Sequence, residues 1–362
     1  MASMFLSGTT SLALEISGAR LISPFYGSSI YTWSAMITVT MVALALGYAW
    51  GGRLADRYPH LTQFSRLLTA AGLTLAALPW LRAPILMASL PLGVQLGALV
   101  SAGALLGPTL VLLGALGPVA VRLTATGAAD SGRKSGDTWA VSTAGSVLGA
   151  LLTGFVLIPI LPISKILLGA ATVLLALGAL GSWLSSRALP LGQLAACAAC
   201  LALSLRPAPA PGMALSAQES AYGRIVVIES GQHRFLLVNG TSQSVMEKEG
   251  GESQSQYVRA FEWTRALRPN AKRALVIGLG AGLLPKALER RGLSVDAIEI
   301  DPMIAQTARE HFGYEPRGRV IIGDGRASLE QEPGTWDLVF LDAFVAESPP
   351  THLFTTEAFA RV

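Results

Sequence analysis

Long apolar runs fill the first 205 residues of the chain and restrict what this part can fold into. Lipid offers no partners for backbone N–H and C=O groups, so apolar runs of roughly 20 residues cross a bilayer as helices. Six such runs cover about residues 2–23, 31–52, 65–82, 95–121, 138–161 and 163–185. The sequence therefore predicts an N-terminal polytopic α-helical membrane domain over residues 1–205.

The composition separates this part from the rest of the chain. Mean hydropathy is +0.50, and charged residues make up 14% of the 362 positions, whereas soluble proteins carry about 25%. Residues 206–362 have an ordinary globular composition. The net charge of +4 comes mostly from basic residues beside apolar runs, without the interleaved aromatic residues typical of nucleic-acid binding. We expect the membrane as a partner, and no nucleic acid.

Basic loops predict the orientation of the helices. Arg53 and Arg57 follow the second run, and residues 122–137 form a basic loop after the fourth. Basic loops stay in the cytoplasm, and two crossings, an even number, connect these two loops through an external turn at 83–94. Six crossings return the chain to the cytoplasm. We expect a multi-pass protein of the inner (plasma) membrane with a cytoplasmic C-terminal domain.

A shorter apolar run at 188–205 does not fit this count. As a full span it would place the C-terminal domain outside the cell, so we expect an interfacial or re-entrant segment. The run contains Cys197 and Cys200. Their CxxC spacing lacks two further ligands, which favours helix packing over a metal or redox site.

The long runs contain two further features, a pair of charged residues and a series of small residues. Glu15 and Arg20 lie in the first run, where charge is costly, and indicate either a functional site or a structural pair. Small residues recur at 145–154, a pattern that lets helices approach closely in lipid.

Three glycines mark a change from strand to helix in the C-terminal half. The predicted strand covers 274–277, the helix covers 283–291, and a second strand at 295–300 carries Glu299. The glycines are Gly278, Gly280 and Gly282. Glycines let the backbone approach a ligand and leave N–H groups free, and an acid ending the next strand accepts ribose hydroxyls. The pattern indicates a nucleoside site, although a tight turn would explain the glycines alone.

Acids at the ends of later strands favour the nucleoside site. Asp324 and Gly325 follow a predicted strand at 319–322, and Asp342 follows one at 336–341. Open α/β sheets bind ligands at the carboxyl ends of their strands. These acids are therefore expected near the glycines.

The region before the glycines predicts a linker and a small β unit. RPAPAPG opens a semi-stiff linker at 206–218. Residues 219–254 contain two alternating strands, at 223–229 and 233–238, with a second tight turn at Asn239-Gly240. A helical period at 255–267 opens the last domain, 255–362.

These motifs resemble the spermidine synthase family, the polyamine aminopropyltransferases. The matching stretches, within about residues 219–360, are YGRIVVIE, LLVNGTSQS, VIGLGAG, AIEID, GDG, and the run from WDLVFLDAF to PPTHLFTTEAF. The resemblance implies a small β domain followed by a Rossmann-like methyltransferase-type sheet. LEISGARLISPFYGSS and GSVLGALLTGFVLIP resemble the multi-span domain fused to some bacterial members. GYAWGGRLADR is similar to the loop after the second span of major-facilitator transporters.

The resemblance implies a role for each predicted site residue. The glycines cradle the sulfonium-bearing tail of the nucleoside, Glu299 holds the ribose, Asp324 binds the adenine amino group and Gln243 faces the cofactor. Asp342 is the general base that takes a proton from the attacking amine. The implied cofactor-binding residues are Gln243, Gly278, Gly280, Gly282, Glu299, Asp324 and Gly325. The implied co-substrate is decarboxylated S-adenosylmethionine or S-adenosylmethionine, with no metal.

Two departures concern the amine sites. Ala281 and Val345 stand where the family has acids that bind cationic nitrogen. Nearby acids could replace the two missing carboxylates, although solvent-exposed acidic loops explain them more simply. These acids are Glu247, Glu249, Glu252 and Glu347. Tyr257 lies near the family's Tyr-His pair in the amine pocket without matching it cleanly, so its role stays open.

Other polar residues have structural interpretations. Asp301 precedes Pro302 and is expected to cap the next helix. Asp337 is expected to be structural. The histidines have no ligand spacing and are expected at the surface or in packing; they are His233, His311 and His352.

The resemblance also implies further strands beyond the fourth, yet the sequence ends at Val362. We expect a fragment, a site completed by another chain in a homo-oligomer, or a domain inactive alone. The favoured function is a membrane-anchored aminopropyltransferase acting on a small amine. The alternatives are an S-adenosylmethionine-dependent methyltransferase and a non-catalytic, transporter-like or sensor protein that binds nucleoside or polyamine.

Overall fold

The structure, a computed structural model, divides the chain into two compact units, Met1–Ala208 and Pro209–Val362. The residues described are 1–27, 29–205, 214–238, 241–331, 336–344 and 351–360. The linker residues 206–213, the predicted turn at Asn239-Gly240, and Val345 and Glu347 lie outside these ranges.

The first unit is helical. Its helices are α1 (Ala2–Tyr26), α2 (Ile30–Arg57), α3 (Leu61–Ser89), α4 (Gly93–Thr124), α5 (Ala128–Leu151), α6 (Ile158–Ile160), α7 (Ile163–Ser186) and α8 (Leu191–Leu205). A 3-10 turn, Leu90–Leu92, separates α3 from α4, and a π-helical segment, Leu152–Leu157, leads from α5 to α6.

Four helical stretches among the described residues are long and apolar enough to cross a membrane. They are Ile30–Arg57, Leu61–Thr124, Asp130–Ile160 and Ile163–Ser186. The second stretch holds two of the six predicted runs. The run at 2–23 is helical in α1 but is not among the four stretches, and the partly buried Glu15 and Arg20 contribute to its lower hydropathy.

Helices α3 and α4 form an antiparallel hairpin. The Ser89 and Ser101 hydroxyls are 2.7 Å apart near the turn, and Thr109 Oγ1 donates to Thr74 Oγ1 at 2.9 Å further along. The predicted external turn at 83–94 is too long, because α3 continues through Pro84 to Ser89. The chain reverses in the shorter segment Leu90–Leu92, which is followed by Gly93 with a φ of 75°.

Small residues bring helices of the first unit into close contact, as the sequence predicts. A Cβ on Gly145 would lie 1.9 Å from the Phe5 carbonyl oxygen, and one on Gly149 would lie 2.4 Å from that of Thr9. Thr9 Oγ1 donates to the Gly145 carbonyl at 2.9 Å. Gly154 has no neighbour in the space a Cβ would occupy. Only the first part of the small-residue run, with Gly145 and Gly149, therefore lies in the close contact of α1 with α5.

Helix α8 packs on α7. Cys200 is 6% exposed and contacts Leu168 and Leu175, and the Cys197 thiol donates to the Thr172 carbonyl at 3.6 Å. The packing interpretation of both cysteines is confirmed. With 15 residues, α8 is shorter than the roughly 20 that a full crossing takes.

The second unit begins with an antiparallel sheet in the order β1-β2-β3-β4. Its strands are β1 (Ala214–Glu219), β2 (Arg224–Ser230), β3 (His233–Val238) and β4 (Thr241–Glu247). Strands β2 and β3 confirm the predicted pair. Residues 214–218, assigned to the linker from sequence, lie in β1 and pair with β2 instead, because β2 offers a free edge to the chain that follows the prolines.

A parallel sheet in the order β7-β6-β5-β8 follows. Its strands are β5 (Arg273–Ile277), β6 (Ser294–Glu299), β7 (Val320–Ile322) and β8 (Leu338–Leu341). The helices are α9 (Gln256–Trp263), α10 (Leu283–Arg290), α11 (Pro302–Phe312), α12 (Gly325–Gln331) and α13 (Thr356–Phe359). The predicted strands and the helix at 255–267 are confirmed, although the last four residues of that helix, Thr264–Leu267, form a 3-10 turn. Parallel strands joined by helices place all their carboxyl ends at one edge.

The antiparallel sheet shares a core with the segments that follow β5 and β6. Ile225 and Met246 pack with Ala281 and Leu283 at the start of α10 and with apolar residues of α11. This contact holds the small sheet against the glycine loop, residues 278–282.

Candidate active site at the strand ends

The carboxyl ends of β5, β6 and β8 meet at one edge of the parallel sheet. The Gly278 N–H donates to the Ile298 carbonyl at 2.8 Å, and the Asp342 N–H donates to the Ile277 carbonyl at 2.8 Å. The strands are in register there, so the glycine loop leaves β5 between Glu299 and Asp342. The structure thus brings these predicted site residues to one edge.

The glycine loop has a backbone that only glycine fits. The φ values are 98° at Gly278, 54° at Gly280 and 74° at Gly282, all in the left-handed region that other residues avoid. A Cβ on Gly278 would also lie 2.3 Å from the Asp342 carbonyl oxygen, and one on Gly282 would lie 2.5 Å from Cγ of Tyr314. The strand-to-helix turn therefore requires glycine for packing as well as conformation.

Glu299 ties the second strand to this loop. Its carboxylate is buried, with 7% of the residue exposed, and accepts from the Leu279 N–H at 2.9 Å and the Asp301 N–H at 3.0 Å. Burial raises the pKa of Glu299, while these backbone N–H donors oppose that rise. The Gly280 N–H is a third donor to this carboxylate, which offers about four lone-pair sites. Glu299 can thus hold the loop and still accept a ribose hydroxyl.

Asp342 follows β8 and is partly buried. Burial raises its pKa to about 7, and a hydrogen bond from the Tyr257 hydroxyl lowers it in part. Burial and the neighbouring carboxylate raise the pKa of Tyr257, so the phenol stays protonated and remains the donor. A carboxyl group that titrates near neutral pH is suited to accept a proton from an amine.

Asp324 is engaged in local hydrogen bonds. Its Oδ1 accepts from the N–H groups of Arg326 and Ala327 at 3.1 and 3.0 Å, and its Oδ2 lies 3.1 Å from Nε2 of His352. Burial raises the pKa of Asp324, but the hydrogen bonds from Ala327 and His352 outweigh it and lower the pKa overall. The carboxylate is therefore ionised, and its second oxygen faces His352.

Gly325 begins α12 in a buried position. A Cβ there would lie 2.6 Å from Cγ2 of Ile277 and 3.3 Å from Cδ2 of Leu353. Packing against the end of β5 explains the glycine at this position without a ligand, so a cofactor-binding role for Gly325 stays a prediction.

Gln243 lies at a bulge of β4. Leu236 pairs with Ser244 and Leu237 pairs with Ser242, which leaves Gln243 as the extra residue. Bulges next to active sites redirect a side chain. The neighbouring Ser244 is 5% exposed, and its hydroxyl accepts from the Ala281 N–H at 3.2 Å.

Three residues at this edge were not predicted as part of the site. Ser244 fixes the glycine loop, Tyr257 bonds the Asp342 carboxyl group and His352 bonds Asp324. His352 is at the surface, as predicted, but its contact with Asp324 gives it a place at the site. Ser244 and His352 lie in stretches that match the family, and Tyr257 lies near the family's Tyr-His pair, but these signals gave none of the three a role.

The parts of the site are not equally connected. The glycine loop, Glu299 and Asp342 are joined by direct contacts. Asp324 follows β7, the edge strand next to β6, and its carboxylate bonds the N–H groups at the start of α12 and the His352 ring. Gln243 is half-buried beside Ser244. Common binding of one nucleoside by all the predicted residues therefore stays a prediction.

The residues with structural interpretations behave as predicted. Asp301 caps α11, since its Oδ1 accepts from the Met303 N–H at 2.9 Å. Asp337 Oδ2 accepts from the N–H groups of Lys272 and Arg273 at 2.8 and 2.9 Å. Both carboxylates hold backbone elements in place.

Two of the acidic residues at and after the end of β4 have polar partners. Glu247 accepts from Gln254 at 3.0 Å, and Glu252 lies 3.8 Å from a guanidinium nitrogen of Arg290. Ala281 is 1% exposed. Within the described ranges, no group of three or more His, Cys, Asp or Glu residues is arranged to hold a metal ion.

Comparison with known proteins relates the chain to transferases. No family model matches it. A polyamine aminopropyltransferase of Vibrio vulnificus is 33% identical over 153 residues, which are 39% of this chain and 51% of that protein. An N-terminal histidine N-methyltransferase of Emericella nidulans is 36% identical over 89 residues, which are 23% of this chain and 16% of that protein. The crystal structure of a probable spermidine synthase from Corynebacterium glutamicum gives a TM-score of 0.36 at 19% identity, covering 43% of this chain and 59% of that chain.

The chain spans about half the length, or less, of the curated relatives it matches. Over the aligned part, it is similar to proteins named as two kinds of transferase, aminopropyltransferases and methyltransferases.

Proposed function

We propose that the second unit is an aminopropyltransferase that moves an aminopropyl group from decarboxylated S-adenosylmethionine to a small polyamine acceptor. Similarity to a polyamine aminopropyltransferase over part of the chain supports this reaction class. The glycine loop and Glu299 supply the contacts that a nucleoside needs.

One observation carries the proposal. Asp342, with a pKa of about 7, lies against the glycine loop and receives a hydrogen bond from Tyr257. A carboxylate at this place can hold an incoming ammonium group and then remove its proton.

The residues fit a simple displacement. Asp342 accepts a proton from the acceptor ammonium, and the freed nitrogen lone pair attacks the carbon next to the sulfonium. The new N–C bond forms as the C–S bond breaks, and the sulfur leaves as a neutral thioether with the bonding electrons. Alignment of the two substrates accounts for most of the acceleration in such a reaction.

The second candidate is an S-adenosylmethionine-dependent methyltransferase. Ala281 is a buried apolar residue of the glycine loop, where the aminopropyltransferase resemblance implies an acid for the donor's amine. Similarity to a histidine N-methyltransferase also favours it. The two candidates share the nucleoside site and differ in the carbon that is attacked. The non-catalytic alternative, a nucleoside- or polyamine-binding sensor or transporter-like protein, predicts binding without turnover.

Product analysis separates these candidates. Full-length protein in detergent is incubated with 1,4-diaminobutane and either decarboxylated or ordinary S-adenosylmethionine. Methylthioadenosine from the first donor indicates aminopropyl transfer, and S-adenosylhomocysteine from the second indicates methyl transfer. Asp342→Asn should lower turnover by about 10²- to 10⁴-fold.

Glu310→Gln is the matched control, because Glu310 is an exposed acid on α11 bonded to Gln306. Binding of either donor without any product, or turnover that Asp342→Asn leaves unchanged, rejects the transferase proposal.

We also infer that the first unit anchors the protein in the plasma membrane. Large apolar side chains on its surface are exposed, including Ile37 at 51%, Met41 at 58% and Phe155 at 79%. Exposed apolar surface of this kind is typical of contact with lipid or another apolar partner. The four long apolar stretches support the same placement.

A further inference from the structure

A cleft opens in the first unit at the C-terminal ends of α2 and α4. Its volume is about 530 Å³, within the range of small-molecule sites. The walls come from Gly52, Ala55 and Asp56 of α2, from residues 118–125 at the end of α4, and from the start of α5.

Close packing on one side of the cleft explains its shape. A Cβ on Gly47 would lie 2.4 Å from the Val111 carbonyl oxygen, and one on Gly51 would lie 2.5 Å from Cα of Ala115. The two helices therefore touch along their glycines. Gly52 has no neighbour where a Cβ would be. The close contact of α2 with α4 therefore ends before Gly52, and the cleft begins there.

Trp139 of α5 forms the aromatic wall. A Cβ on Gly117 would lie 2.6 Å from the Trp139 ring, and the Tyr48 ring packs edge-on against Trp139 at a centroid distance of 4.9 Å. These contacts hold the indole in place. Ser135, one turn earlier on α5, adds a hydroxyl to the same wall.

Opposite charges line the cleft on different helices. Asp56 is on α2 and Arg122 is on α4. Among the residues that the structure describes, neither forms an ion pair or a side-chain hydrogen bond. Asp130, at the start of α5, is committed to capping that helix through the Thr126 and Gly127 N–H groups. Asp56 and Arg122 are thus the charges available to a ligand in the cleft.

We propose that this cleft binds a small zwitterion carrying a primary ammonium group and a phosphate or carboxylate group. The guanidinium of Arg122 pairs with the oxyanion, for which it offers two parallel N–H donors. Asp56 accepts from the ammonium group, and the Trp139 indole lines the cleft beside the same cation. A simple anion would be repelled by Asp56, and a diamine would be repelled by Arg122.

Two sources could supply this chemistry, a free zwitterion or the headgroup of an aminophospholipid. The soluble probe is phosphoethanolamine, measured by titration calorimetry against full-length protein in detergent. Ethanolamine and ethyl phosphate serve as half-ligands that each lack one charge. The lipid probes are vesicles containing phosphatidylethanolamine or, at equal mole fraction, phosphatidylglycerol, with retained lipid measured by mass spectrometry.

We expect phosphoethanolamine or phosphatidylethanolamine to bind and each half-ligand or phosphatidylglycerol to bind more weakly. Asp56→Asn and Arg122→Gln should each lower affinity by about tenfold or more. Ser135→Leu, which fills the cleft without changing charge, should also lower it. Binding of the soluble probe identifies a free ligand, and retention of phosphatidylethanolamine alone identifies the lipid.

The controls are Asp137→Asn and Arg133→Gln, which change exposed charges of α5 that do not line the cleft. The proposal is overturned if neither probe binds. It is also overturned if binding persists in the Asp56 and Arg122 variants, or if the control variants weaken it equally.

Discussion

At the scale of single residues, burial and one opposing hydrogen bond set the pKa of the proposed base, Asp342. The Tyr257 hydroxyl donates to the Asp342 carboxylate and stabilises its charged form against burial. The proposed base must be deprotonated to accept a proton from the amine, so its pKa sets the acid limb of activity.

We predict that kcat/KM falls about tenfold for each pH unit below about 7, as Asp342 becomes protonated. Tyr257→Phe removes a donor to the anion, which raises the pKa of Asp342. The acid limb should therefore move to higher pH, by about one unit. A pH profile of the variant tests this shift. Tyr31→Phe, at a tyrosine that is 52% exposed in the first unit, is the control.

His352 should affect nucleoside binding more than turnover. In His352→Ala the Asp324 carboxylate loses the Nε2 contact at 3.1 Å, and nucleoside affinity should fall by about two- to tenfold. His352→Gln, which can still donate a hydrogen bond, should recover part of the loss. Calorimetry with the sulfonium donor measures both variants. His60→Ala, which removes an imidazole at the start of α3 that makes no capping hydrogen bond, should not change affinity.

The acids at the strand ends could be predicted because each follows an apolar run directly in sequence. Their partners could not. Ser244 bonds the glycine loop across 37 positions, and His352 bonds Asp324 across 28. Neither pair has a local pattern, since contacts of this kind depend on how the two sheets and the last segment pack.

At the scale of secondary structure, glycines decide which helices can touch. The contact of α1 with α5 has no space for a side chain at Gly145 or Gly149. Polar contacts such as Thr9 Oγ1 to the Gly145 carbonyl follow from this closeness. Close approach and such hydrogen bonds are the main attractions between helices in lipid.

Gly145→Val should separate α1 from α5 and destabilise the first unit by about 1–3 kcal/mol or more, the usual range for overpacking. Thermal unfolding in detergent should show a lower midpoint. Gly154→Val is the matched control, because the same change in the same run meets open space. Equal effects of the two substitutions would contradict the packing argument.

Periodicity and glycine positions predicted most elements of the second unit. Strand β1 was missed because ALSAQE has a weak alternation and follows a proline-rich segment, and only its pairing with β2 makes it a strand. The predicted turn between α3 and α4 began too early because Pro84 is tolerated inside α3. Packing against neighbouring helices stabilises such proline-containing helices.

At the scale of the whole molecule, the chain combines an apolar helical unit with a globular α/β unit. The sequence predicts that the second unit lies in the cytoplasm and that α8 does not cross the membrane. Protease digestion of sealed vesicles tests this arrangement. A C-terminal fragment should be released from inside-out vesicles and protected in right-side-out vesicles. The reverse pattern would make α8 a crossing segment and contradict the proposed topology.

The double engagement of Glu299 restricts how this protein can diverge. The side chain proposed to recognise the ribose also fixes Leu279 in the loop, so a substitution there would disturb the loop and the recognition together. Natural selection therefore has little freedom at Glu299. Ala281 is held through its backbone N–H, and its small side chain is buried in the apolar core with Ile225 and Met246, so a larger side chain there requires those two residues to move. New donor preferences should consequently arise by exchange at 281 together with its core neighbours, while the acid at 299 is inherited unchanged.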